Sequence, residues 1–328
     1  MPAVVRVTVA ICFAVCAALV ASAASAQDAF PSKTIRFVLP QPAGGAVDLI
    51  ARSLGDRLSE SLKTPVVVDN QPGANGSLAA TNVTRAAPDG HTLFFAIDTN
   101  LVVNPHLYGN LSYDPFVDLT PISLVATIDT VLVVHPSVPA KNVQELIAYA
   151  RANPDKLNYA SVGLGSLMHL GMEMFMLRTG ARLTHVPYRG TAPATTDLVA
   201  GVVQAMFTGP QAAQPLIEGG QLRGLAVAGA RHSELMPQLP TTKEAGVDNL
   251  QVSGWFGLMA PARTPAAIVK RLTEETAKVT ADAGFKARLA AQGIAVRGST
   301  AEEMAALMRA DSAMWRDLIK TAGIAIPR

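Results

Sequence analysis

The chain has 328 residues, 27 of them basic and 25 acidic, for a formal net charge of +2. That near-balance, with no basic run, argues against nucleic acid as a partner. Its two cysteines, Cys12 and Cys16, both lie in the first apolar run, so a chain processed beyond them has no disulfide, cysteine nucleophile or thiolate metal site.

This run, Val7 to Val20, follows Arg6 and is fourteen residues long, too short to span a bilayer comfortably. Ala24-Ser25-Ala26 follows as a small-residue cleavage site. Residues 1–26 are therefore expected to be a signal peptide cleaved after Ala26, with a soluble, secreted mature chain starting at Gln27. Neither cysteine follows a lipoprotein cleavage pattern. Loss of Arg6 leaves 26 basic (27 − 1) against 25 acidic residues, a net charge of +1. No later segment has about eighteen uninterrupted apolar residues, and the remainder is long enough for two domains.

Ile35-Arg36-Phe37-Val38-Leu39 reads as a buried strand. Pro40-Gln41-Pro42-Ala43-Gly44-Gly45 then forces a sharp turn, and Ile50, Leu54, Leu58 and Leu62 fall on one face of a helix. The resulting strand, Gly-rich loop and helix can present backbone N–H groups to an anion at the positive end of the helix. On local pattern alone, Gly44 and Gly45 also suit a plain turn, and Asp48 a plain helix start.

A second unit runs from the strand Pro65 to Asp69, through a loop ending at Gly76, to a helix from about Ser77 to Ala87. A third strand, His91 to Ile97, exits into Asp98-Thr99-Asn100. Alternating strands and helices predict a parallel sheet covered on both faces. Beyond the connector Tyr113 to Asp118, the apolar runs Ile122–Ala126 and Val131–Val134 read as a strand pair or one long bent strand, a natural place to cross between domains.

In the middle of the chain, Asn142 with Glu145 starts a helix that ends near Asn153-Pro154. The strand Leu157 to Ala160 leads into a second Gly-rich turn, Ser161-Val162-Gly163-Leu164-Gly165-Ser166, which opens a helix stopped by Gly180. A strand at Leu183–Val186, a helix at Ala194–Ala200 and a strand at Val202–Phe207 follow, and Thr208-Gly209-Pro210 forms the exit. The C-terminal part reads as mainly helical. Thr264 is expected to cap a helix with Pro265 at its first position, and Thr300 with Glu303 to form a capping box for a helix ending at Gly323.

Two strand-exit glycine loops, one in each half, would clamp an anion between residues 41–48 and 161–166, because ligands of open α/β sheets sit beyond the carboxyl ends of the strands. The expected donors are the backbone at 43–45 and 163–166, with hydroxyls from Thr99, Ser161 and Ser166. Enzyme signatures are missing: there is no Gly-x-Ser-x-Gly, His-Glu-x-x-His or Walker loop, and Gly163-Leu164-Gly165 lacks the third glycine of a dinucleotide fingerprint. The histidines have no metal-ligand spacing, and His169, one turn into its helix, reads as a structural hydrogen-bonding residue. Met168, Met172 and Met176 share a helical face and suit an adaptable core better than a soft-metal site. No cofactor and no metal are expected.

Several longer stretches stand out: Phe30-Pro31-Ser32-Lys33, the Pro40-to-Asp48 loop, Val68-Asp69-Asn70-Gln71-Pro72-Gly73-Ala74 and Ala86-Ala87-Pro88-Asp89-Gly90. Asn104-Pro105-His106-Leu107-Tyr108, Ser112-Tyr113-Asp114-Pro115, Tyr159-Ala160-Ser161, His185-Val186-Pro187-Tyr188-Arg189-Gly190 and Trp255-Phe256-Gly257-Leu258 follow. Together, and in family order, they resemble the substrate-binding receptors of tripartite tricarboxylate transporters, the Bug or TctC family of bacterial periplasmic proteins.

The resemblance implies an α/β, two-lobed periplasmic binding protein fold of type II-like character with the ligand between the lobes. Lobe 1 is expected at residues 27–123 and 228–328 and lobe 2 at 124–227, with crossings near 123–131 and 224–230. It also implies a monomeric, non-enzymatic periplasmic receptor for a small carboxylate, which it passes to membrane permease subunits of the tripartite tricarboxylate type. A ligand-sensing component of a signalling system is the alternative of another class. The candidate ligand-binding residues are Gln41, Ala43, Gly44, Gly45, Asp48, Thr99, Ser161, Gly163, Gly165, Ser166, His169, Tyr188 and Thr208. Gln41, Thr208 and Asp98 depart from the family pattern, and ligand identity is read at such positions.

Overall fold

The computed structural model describes residues 30–324. The expected signal peptide and its cleavage after Ala26 lie outside that range.

The first half comprises β1 (Ile35–Leu39), α1 (Ala46–Leu62), β2 (Val66–Asn70), α2 (Ser77–Thr84), β3 (Thr92–Ile97), a π-turn at Thr99–Val103, α3 (Asn104–Leu107), β4 (Leu119–Asp129) and β5 (Val131–Val134). It continues through α4 (Val143–Ala152), β6 (Asn158–Ser161), α5 (Leu167–Thr179), β7 (Thr184–Pro187), α6 (Thr191–Val199), β8 (Ala205–Thr208), α7 (Pro210–Glu218) and β9 (Arg223–Val227). The chain then returns through β10 (Ser253–Pro261), α8 (Ala266–Ala281), α9 (Ala283–Ala290), β11 (Ile294–Val296) and α10 (Ala301–Ala322).

Two sheets result. The first runs in the order β11-β4-β10-β3-β1-β2, the second β7-β6-β8-β5-β9. β1 pairs in parallel with both β2 and β3, so each connection must cross over the sheet, and helices cover both of its faces. The side-chain alternation of β1 shows this directly. Phe37 and Leu39 pack with Ile50, Leu54 and Leu58 of α1, whereas Val38 points to the opposite face and packs with Phe94, Val102 and Met304. In the second sheet β6 is parallel to β7 and β8, while β5 runs antiparallel to β8 and β9.

The two apolar runs read as a pair or a single bent strand are two strands in different sheets, and Thr130 alone separates them. Thr130 is tied to the return path of the chain. Its N–H and Oγ1 donate to the Val252 carbonyl at 3.2 and 2.7 Å, its carbonyl accepts from Ala228 N–H, and Val252 N–H donates to the Ala228 carbonyl. Residues 229–252 form no strand of the first sheet. They stay with the second through a bridge between Val227 and Thr241 and a bond from Gln144 Nε2 to the Ala245 carbonyl. By sheet membership the chain passes between the sheets at Thr130, within the expected 123–131, and at Val252, beyond the expected 224–230, because 229–252 has its partners in the second sheet.

Local signals place several helix ends as read from the sequence. Asn142 accepts from Glu145 N–H at the start of α4, Gly180 ends α5 at φ 66°, and both halves of the Thr300–Glu303 capping box are present. Pro265, expected as the first helical residue, is instead the extended residue before α8 at ψ 138°. β10, α7, α9 and β11 were not anticipated. β10 is the central strand of the first sheet, with eight of its nine residues buried, which erases the alternation a sequence reading needs.

Candidate functional site

Four strand-to-helix transitions open on one cavity of about 480 Å³ between the two sheets. Gly45, Ala46 and Val47 bring the N-terminus of α1 to it, and Ser166, Leu167 and Met168 that of α5. Thr191 contributes the start of α6, and Gly209, Gln211 and Ala212 that of α7. The first turn of a helix has N–H groups without intrahelical acceptors, and its end carries a partial positive charge of roughly half a unit. Ile128, Gly254 and Phe256, from β4 and β10, form an apolar floor. Among the described residues lining the cavity there is no lysine, arginine or histidine, and Asp98 is the one charged side chain.

The candidate residues divide into two groups. Gln41, Gly44, Gly45, Thr99 and Ser166 line the cavity. Ala43, Asp48, Ser161, Gly163, Gly165, His169, Tyr188 and Thr208 do not, and most of these shape the loops from behind. Asp48 accepts from Gly44 N–H and Arg52 Nε through one oxygen and from Asn70 Nδ2 through the other. Burial pushes its carboxyl up, but the donors from Arg52, Gly44 and Asn70 outweigh that and hold it below the ordinary value. The buried carboxylate thereby fixes the first glycine loop against β2.

The second loop is braced in the same way. Ser161 Oγ accepts from Gly163 N–H at 3.1 Å and shares a 2.6 Å hydrogen bond with His185 Nε2. Gly165 N–H donates to His169 Nδ1, and Ser166 Oγ donates to the Gly163 carbonyl while capping His169 N–H. The His169 and His185 rings stack 4.2 Å apart, with Tyr159 stacked on His185. Burial depresses both imidazoles to about 4, which keeps them neutral near pH 7 and leaves His169 Nδ1 free to accept from Gly165 N–H. His169 thus acts as a brace for Gly165. Tyr188 donates to Asp197, and Thr208 is buried, with no partner for its hydroxyl.

The expected backbone donors are consequently redistributed. The N–H groups of Gly44, Gly163, Gly165 and Ser166 already have partners within their own loops. Of the expected donors, Gly45 lines the cavity at the N-cap of α1, and the lining residues whose N–H groups lack an intrahelical acceptor extend past the loops to Ala46 and Val47 in α1, Leu167 and Met168 in α5, and Gln211 in α7. The α7 contribution was missed, although Gly209-Pro210 is a helix-start signal of the proline-at-first-position type.

Asp98, noted only as unusual in the sequence, is 2% exposed at the exit of β3. It accepts from the backbone N–H of Thr99, and the Trp255 N–H nearby favours its ionised form. Burial pushes its carboxyl up to about 7, and the charge of Asp311 on α10 adds to the rise. Among the described residues no group of three or more histidine, cysteine or acidic side chains could hold a metal ion, and no helix is long and apolar enough to cross a membrane.

A family model described as the tripartite tricarboxylate transporter family receptor matches residues 50–324. Among solved structures, the chain is similar to R. palustris Rpa4515 with adipate, at 35% identity and a TM-score of 0.82 over 90% of this chain and 99% of that one. It is similar to the periplasmic binding protein BugD at 32% identity and a TM-score of 0.79, again over 90% and 99%. For MatC from Rhodopseudomonas palustris with bound malate, the values are 31% and 0.77 over 88% and 100%.

Proposed function

The chain belongs to the tripartite tricarboxylate transporter receptor family, and we propose that it is a periplasmic receptor that captures a small organic carboxylate between two lobes and hands it to a membrane permease. Its fold is that of a two-lobed periplasmic binding protein, and its family is one of receptors rather than enzymes. Export through residues 1–26 and a monomeric receptor belong to the same proposal, as does a division into lobes that follows the two sheets.

The observation that carries the reading is the convergence of four helix N-termini on a cavity without a basic side chain. Such a site takes an anion through oriented backbone dipoles, with little reorganisation and no long cationic side chain to immobilise. At about 480 Å³ the cavity suits a compact organic acid. Adipate and malate in the related structures are both dicarboxylates of that kind. Gln41, lining the first loop, can donate and accept, which suits a polar group distal to an anchored carboxylate.

A thermal-shift screen of the mature chain against mono-, di- and tricarboxylates, with matched alcohols and amines, tests this. A ligand held only by the folded state at about a hundred times its Kd adds about 2.7 kcal/mol, a rise of several degrees in Tm. The expected result is a rise confined to carboxylates. A screen in which carboxylates raise Tm no more than their alcohols contradicts the proposal.

A further inference from the structure

Asp98 gives the cleft a polarity that anion capture alone does not explain. The helix ends that line it are partially positive, yet the single charged side chain among its described lining residues is a carboxyl that is 2% exposed. No cation among the described residues faces it. Its hydrogen-bond donor is the backbone N–H of Thr99, with the Trp255 N–H nearby. The titratable group facing it from α10 is Asp311, which is itself an acid, occupied in accepting from Trp255 Nε1. From across the cleft comes the apolar Leu167, whose side chain and Asp98 Oδ2 both lie beside Gly254. A carboxylate buried without a countercharge is costly, whereas one that meets a charged donor in a low-dielectric site gains a strong hydrogen bond.

We propose that Asp98 is a specificity-determining residue that pairs with a protonated nitrogen on the ligand, so that the receptor selects amino-carboxylates over plain dicarboxylates of the same carbon skeleton. The inference rests on the carboxylate-binding reading above and sharpens it. The ligand carboxylate lies among the helix N-termini and its ammonium lies against Asp98, so a dipolar ligand matches a dipolar site. A plain dicarboxylate places its second anionic group, or an apolar carbon, beside the same carboxyl, and must bind with Asp98 protonated. Asp98 is held at about 7, so plain dicarboxylates bind progressively more weakly as pH rises above neutrality, while amino-carboxylates retain their affinity as long as the amine stays charged.

The test is isothermal titration calorimetry with skeleton-matched pairs, glutarate against glutamate and adipate against α-aminoadipate, on the wild-type mature chain and on Asp98→Asn and Asp98→Ser. At about pH 8.5, where Asp98 is ionised and the amines remain largely protonated, the wild type is expected to favour the amino member of at least one pair by about tenfold or more. In Asp98→Asn that preference is expected to vanish, with the plain dicarboxylate bound as well as or better than by the wild type. Thermal melts check folding, and Asp98→Ser gives a second removal of the charge if the amide variant fails to fold. Wild-type binding of the plain acids with no preference for the amine overturns the role of Asp98 and leaves carboxylate capture standing. An amine preference that survives in both variants also overturns that role. Failure of every member of both pairs to bind, with carboxylates inactive in the thermal screen, removes the underlying reading and this inference with it.

Discussion

Asp98 and Asp48 are both buried acids beside the same cleft, and their surroundings drive them in opposite directions. Asp48 has Arg52, Asn70 and Gly44 as donors, so its folded-state value is depressed, and its stabilising contribution is present above the ordinary carboxylate range and lost as pH falls through the folded value. Asp98 has no cationic partner among the described residues, and its folded value of about 7 lies above the 3.8 of an exposed aspartate. Its protonated form is the one the fold accommodates, so its contribution is fully present below 3.8 and is lost as pH rises to about 7. Asp98→Asn is therefore expected to flatten the decline of stability between those two pH values and to leave the unliganded chain more stable than wild type above neutrality. Urea titrations across that window check this, and a wild type and variant that decline in parallel contradict it. The identity of Asp98 was visible in the sequence, but its burial was not. That depends on Trp255 and Asp311, which reach it from distant parts of the chain.

At the scale of elements, the legible parts were those with a local signal. The glycine loops after β1 and β6, the capping pair Asn142 and Glu145, and the Thr300–Glu303 box all announce themselves within a few residues. β10 did not, because Gly254 to Pro261 are buried on both faces and carry no period of two. Its two glycines instead reflect close packing. An added Cβ at Gly257 would collide with Met304 Cε, so α10 lies directly on the strand. Gly257→Ala is expected to lose about 1–3 kcal/mol of stability as Met304 is displaced from a filled core, measured by urea denaturation, and Gly257→Ala combined with Met304→Ala is expected to lose less than the sum of the separate losses. Strict additivity in that double-mutant cycle would mean that the two residues are not coupled. The convergence of α6 and α7 on the cavity was likewise illegible, since it follows from strand order in the second sheet rather than from any residue within those helices.

For the whole molecule, the crossings at Thr130 and Val252 are held by a few backbone bonds with Ala228, which is the construction of a hinge. The sheets also meet across the cleft, where the side chain of Leu107 in α3 packs against Gly165, a glycine held at φ 75°. A ligand touching both α1 and α5 gains its full set of contacts only when these surfaces are together, so it favours the closed form by that difference. Small-angle scattering is expected to give a smaller radius of gyration at saturating ligand, and identical curves with binding confirmed by calorimetry would mean a preformed cleft. The most direct measurement of carboxylate capture is a crystal structure of the mature chain with the strongest carboxylate from the thermal screen. The expected result is a carboxylate group between the sheets, its oxygens within hydrogen-bond distance of backbone N–H groups in the first turns of α1 and α5, with no basic side chain in contact. A carboxylate bound outside the cleft, or held there by arginine or lysine, would contradict it.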